Sequence, residues 1–171
     1  MRRLLLLLGL ALPTPLAAAS LTVTKTVSVI ADGVSTANPK ALPRATLDEA
    51  IQVASPLTNG IASIGGVSVV DTVSATVKLR VVDLGAAGSG PVEFADGGLL
   101  GLLASGLSYQ YTSLASTSDS VDFSSDGVTW SYVPVADADG CDPNVKAIRV
   151  RLTGSQVVGS GFRLRYRIMV R

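Results

Sequence analysis

Apolar and polar positions alternate with a period of two through most of this chain, and that period belongs to half-buried β-strands. Leu21 to Ile30 is the first such run, with Leu21, Val23, Val27 and Val29 on one face and threonines and Ser28 on the other. Lys25 interrupts the apolar face, which suits an edge strand, because a charge there discourages pairing with other chains. Asp32-Gly33 and Asn38-Pro39 mark an irregular connection. Leu47, Ile51 and Val53 share the parity of a second strand, with Glu49 as the misfit, and a short helix over Thr46 to Ala54 competes with that reading. Val67 to Val73, Thr76 to Val82 and Pro91 to Phe94 supply further strands. Gly97 to Leu107, rich in Gly and Leu, reads as a buried cover over one end of the core. Leu107 to Leu114 then resumes β character through Tyr109 and Tyr111.

Towards the C-terminus the pattern sharpens. Val121 to Val133 predicts a hairpin, with Asp126-Gly127 between runs carrying Phe123 and Trp130-Tyr132. Ile148, Val150 and Leu152 alternate with Arg149 and Arg151; Phe162, Leu164, Tyr166, Ile168 and Val170 alternate with Arg163, Arg165, Arg167, Met169 and Arg171. Gly154 to Gly161 connects the two. Short strands separated by turns, with no repeat period, predict an all-β fold: a single antiparallel sandwich.

The N-terminus stands apart from this pattern. Arg2 and Arg3 precede the apolar run Leu4 to Leu12, Pro13 and Pro15 follow it, and Ala17-Ala18-Ala19 supplies small residues. These are the parts of a signal peptide over residues 1–19, with cleavage between Ala19 and Ser20. The apolar run is well short of the roughly 20 residues a membrane span requires, so no span is expected after processing. The mature domain would cover residues 20–171 in a periplasmic, cell-surface or extracellular setting. Cys141 is the only cysteine. It reads as a small buried residue, with pairing between two chains as the alternative.

Net charge conceals a segregation. From Ser20 to Asp142 there are 13 acidic and five basic residues, and from Pro143 onward seven basic and none acidic, about −8 followed by +7. If the last two strands pair, Arg149 and Arg151 share a face with Arg163, Arg165 and Arg167. Such a stripe suits an anionic envelope polymer or an acidic protein surface. Nucleic acid is disfavoured by export and by an aromatic content of 5%. Alternatively, the acidic part of one subunit meets the basic strands of the next, and the chain self-assembles into filaments or rings. A third reading leaves the arginines as a solvated face, neutralised by acids on neighbouring strands.

Parts for catalysis are scarce. Histidine is absent, removing the commonest general base. Neither a Gly-x-Ser-x-Gly elbow nor Ser-x-x-Lys nor a phosphate loop occurs. A hydrolase built on a carboxylate pair is the residual enzymatic reading. No catalytic residue and no cofactor are assigned. Asp137, Asp139 and Asp142 around Gly140 offer hard oxygens to calcium, but a plain Asp/Gly turn accounts for the same residues, and no metal ligand is assigned.

Several segments together resemble a known family. Leu21-Thr-Val-Thr-Lys25-Thr-Val27, the Asn-Pro-Lys-Ala stretch from Asn38 to Ala41, and Leu42 to Ser55 are similar to the opening of bacterial exported conserved-repeat domains of unknown function. Asp122 to Gly127, Tyr132 to Gly140 and Ile148 to Val150 resemble the C-terminal half of single-domain relatives. This chain departs from the pattern at Arg44, where Gly is usual, at Glu49, near a usual aromatic, and at Cys141, commonly aromatic. The resemblance implies an immunoglobulin-like sandwich at or outside the cell envelope, working as a structural or adhesive module, and carries over no ligand residues.

Overall fold

Strand β12 (Gly161–Val170) is the longest unbroken expression of the period-two pattern, and the sheet is built around it. In the computed structural model, which describes residues 20–35, 37–97 and 103–171, Phe162, Leu164, Tyr166 and Ile168 on β12 are all buried. Each such side chain taken from water contributes about 1.5–3 kcal/mol, which is why this parity faces inward. On one flank β12 pairs antiparallel with β2 (Thr46–Ala54), setting Phe162 opposite Val53, Leu164 opposite Ile51 and Ile168 opposite Leu47. On its other flank β6 (Val92–Asp96) pairs with its first half and β5 (Val77–Arg80) with its last residues. β9 (Cys141–Asp142) extends the sheet beyond β5, and β1 (Thr22–Ala31) closes the opposite edge against β2.

The second layer has three strands, β4 (Ser68–Thr72), β10 (Ala147–Arg151) and β8 (Val121–Ser124), with β10 central. Its line continues, after a break, as β3 (Ile64–Gly65), β11 (Thr153–Gln156) and β7 (Leu107–Ser108). At the break Leu152 turns into the core and donates its N–H to the Val67 carbonyl, so the ladder is bent rather than lost. Gly154 permits the bend: its φ is 93°, and a Cβ there would lie 2.4 Å from the Gly106 carbonyl oxygen. Side chains from both layers, including Ile51, Leu79, Leu164, Val121, Phe123 and Ile148, join in one hydrophobic core. The fold is all-β and sandwich-like with antiparallel sheets, as the alternation predicts.

Several local expectations are corrected. Thr46 to Ala54 is strand throughout, and its helical alternative falls. Of Leu107 to Leu114 only Leu107 and Ser108 pair; from Gln110 the backbone is held by side chains, with Ser120 Oγ accepting from Gln110 N–H and Asp119 from Thr112 N–H. The hairpin over Val121 to Val133 shrinks to one bridge, Phe123 to Tyr132. Asp126 accepts N–H bonds from Val128 and Thr129, and this Asx turn spends the backbone donors that a second ladder strand needs. Most consequentially, β10 and β12 do not pair: β11 occupies the expected connection, and the chain changes layers between them. Residues 1–19, expected to be a signal peptide, and residues 98–102 of the expected cover segment lie outside the described residues.

Candidate functional site

Because the even-numbered side chains of β12 fill the core, Arg163, Arg165 and Arg167 emerge on the outer face of the six-stranded sheet. The acids facing them come from the neighbouring strands. Asp48 lies opposite Arg167 on β2, and Glu93 lies opposite Arg165 on β6. Asp48 Oδ2 meets Arg165 Nη1 at 2.6 Å, and Asp48 Oδ1 meets Arg167 Nε at 2.6 Å. Glu93 Oε2 takes Arg165 Nη2 at 2.5 Å, and Glu93 Oε1 stands 3.8 Å from Arg163 Nη2. Arg165 therefore bridges two carboxylates on two strands, and the row becomes a charged ladder across β2, β12 and β6.

Electrostatics follow this geometry. Burial pushes the Asp48 carboxyl upward, but the hydrogen bonds and charges of Arg167 and Arg165 outweigh it and hold it below its ordinary value. Glu93 is lowered, first by its hydrogen bond from Arg165. Arg165 is raised, chiefly by Glu93 and then Asp48 against the opposing effect of burial.

The other two arginines stand on the outer face of the second layer. Arg149 and Arg151 donate from Nε to the same Asp122 Oδ2, at 2.9 and 2.6 Å, and Asp122 sits on β8 opposite Arg149. Arg151 also reaches the carbonyls of Thr117 and Asp119. The Arg149 guanidinium lies over the Trp130 ring, 4.7 Å from its centroid, a cation–π contact. Val70 is Arg149's partner on β4 and is exposed.

The single stripe of five arginines expected from the sequence is thus not formed. Two layers separate Arg149 and Arg151 from Arg163, Arg165 and Arg167, because the strands carrying them belong to different sheets. Sequence reasoning missed the partners: Asp48, Glu93, Asp122 and Trp130. Asp48 and Glu93 were the more accessible, since Asp48 has the parity opposite to Leu47, Ile51 and Val53, and Glu93 the parity opposite to Val92 and Phe94. Trp130 lies in a turn whose geometry alternation does not encode.

The remaining candidates are taken up within the chain. Asp137 accepts the N–H groups of Asp139 and Cys141, and both Asp137 and Asp139 meet Lys78 Nζ, at 2.7 and 2.8 Å. Asp142 accepts from the Tyr132 hydroxyl and from the N–H groups of Val135 and Asn144. Asp137 and Asp139 thus share Lys78, and Asp142 faces other protein donors, around an Asp/Gly turn. Cys141 is buried, and burial raises its thiol above the ordinary value. Compared with family models, with curated proteins and with solved structures, the chain matches none.

Proposed function

We propose that this chain is a non-catalytic structural or adhesive module, exported to the cell envelope or beyond it, of the immunoglobulin-like conserved-repeat kind. The observation that carries this reading is the use made of charge. Five arginines are spent on three carboxylates of the same molecule, Asp48, Glu93 and Asp122, tying neighbouring strands together on both outer faces. A load-bearing sandwich benefits from such ladders. Assembly of subunits through complementary charge would need Asp48, Glu93 and Asp122 free, and each of these acids already holds an arginine of its own chain. Arg44 supports the family resemblance: it stands where the family has Gly, and its φ of 68° lies in the left-handed region that favours Gly.

Contact with a partner falls to the face bearing Trp130, Arg149 and Arg151. Two guanidinium groups there share one carboxylate, and one of them stacks on an aromatic ring beside exposed Val70. Trp and Arg are the residue types that concentrate binding energy at interfaces. The partner is an anionic polymer or an acidic protein surface. Salt-gradient elution from an immobilised polyanion tests it, with circular dichroism as the control for folding. Trp130→Ala and Arg149→Gln should both elute at lower salt, while the triple change of Arg163, Arg165 and Arg167 to Gln should matter less. Elution of both single variants with the parent chain contradicts the assignment.

A further inference from the structure

Two misfits of the hydrophobic pattern, Lys25 and Glu49, point inward and meet. Glu49 lies on β2 opposite Tyr166, and Lys25 on β1 opposite Ile51, so both share the parity that faces the second layer. From that layer β4 brings Asp71. Lys25 Nζ stands 2.6 Å from Asp71 Oδ2 and 3.1 Å from Glu49 Oε2. The Tyr166 hydroxyl donates to the same two atoms, to Glu49 Oε2 at 2.5 Å and to Asp71 Oδ2. The carboxylates are only 14% and 15% exposed, and the Lys25 side chain 38%.

We propose that this cluster is a self-processing crosslink site, in which Lys25 Nζ and the Asp71 carboxyl condense to an amide joining β1 to β4. Asp71 is the acceptor because it is the nearer carboxylate, and Glu49 is the proton carrier. The ammonium first passes a proton across its 2.6 Å hydrogen bond to Asp71, giving a neutral amine and a neutral acid in contact. The amine attacks Asp71 Cγ, charge develops on Oδ1, and the Tyr166 hydroxyl, which donates to Oδ2, assists the departure of that oxygen. Glu49 takes a second proton from nitrogen and delivers it to the departing hydroxyl, which leaves as water. One C–N bond forms and one C–O bond breaks. Of the three ammonium protons two depart in the water and one stays on the amide. No oxidant or outside reagent is required.

Two physical features favour the reaction. Fixed contact replaces a bimolecular encounter, which is the largest entropic obstacle to amide formation. Condensation also converts a half-buried ion pair, costly to desolvate, into one neutral amide and a water that leaves. The consequence is mechanical. β1 is an edge strand laddered only to β2, so a bond to β4 closes the open side of the sandwich.

Peptide mapping of the expressed chain by mass spectrometry decides the matter. Intact mass alone does not, since Asp-Gly pairs such as Asp32-Gly33 and Asp126-Gly127 also lose water as succinimides. In the crosslinked chain trypsin no longer cuts after Lys25. The peptide ending at Lys40 is then joined to the peptide Ala45 to Lys78, lighter by one water, with fragment ions placing the bond on Asp71. Lys25→Arg and Asp71→Ala should restore separate peptides. Glu49→Gln should slow condensation by about 10²–10⁴-fold. Ordinary cleavage after Lys25 in the folded parent chain, or a bond to Glu49, overturns the proposal.

Discussion

At the scale of single residues, the chemistry turns on which carboxylates are shared. Asp48 holds Arg165 and Arg167 together, and its side chain is only 7% exposed. Asp48→Asn leaves Arg167 without its carboxylate and should cost about 1–3 kcal/mol in urea unfolding. The pH dependence follows from the same group. Its native pKa is depressed, so the unfolded chain binds the proton more readily. The Asp48 contribution is therefore fully present above its unfolded value, about 4, and is lost as pH falls through the native one. Acid titration of the melting temperature should show a shallower fall for Asp48→Asn than for the parent. Arg44 makes an opposite case. Arg44→Gly relieves a left-handed backbone at the expense of one ion pair to Asp139, itself on a side chain 76% exposed. A net stabilisation of about 0.5–1 kcal/mol is expected. Cys141, buried with a raised thiol pKa, should react with an aromatic disulfide reagent only on unfolding. Rapid labelling of the native chain would contradict its placement.

At the scale of elements, the two long strands at the N- and C-terminal ends of the fold behave differently. β12 is laddered on both flanks and fills the core, whereas β1 has one ladder and leaves Val23 and Val27 more than half exposed. Leu164→Ala should cost about 2–5 kcal/mol, because it opens a cavity between the layers. Val27→Ala should cost well under half of that. Amide hydrogen exchange should rank β12 and β2 as most protected and β1 as least, unless the Lys25–Asp71 bond has formed. Legibility in the sequence divides along similar lines. β2, β10 and β12 were readable because one side of each is buried and alternation records burial; β1 alternates as well, although none of its residues is buried. Lys25 was read correctly as an edge charge, but not as a partner of Glu49 and Asp71, because that contact crosses layers. Within Leu107 to Leu114 the β reading fails beyond Ser108: Tyr109 and Tyr111 have strand-like character, while Asp119 and Ser120 side chains take over the backbone bonding. The separation of β10 from β12 was illegible for a further reason. Alternation fixes which face a side chain occupies, not which sheet the strand joins.

For the whole molecule, the segregation of charge along the chain becomes mixing in space. The basic C-terminal strands land beside acids contributed by β2, β6 and β8, so a linear −8 and +7 folds into cross-strand pairs. This is the central claim, and light scattering of the folded protein at low and high salt tests it most directly. With the charges paired inside one subunit, the particle should have the mass of a single chain at both salt concentrations. A larger species at low salt that dissociates at high salt would show that acidic and basic surfaces meet between subunits, and would contradict the internal pairing.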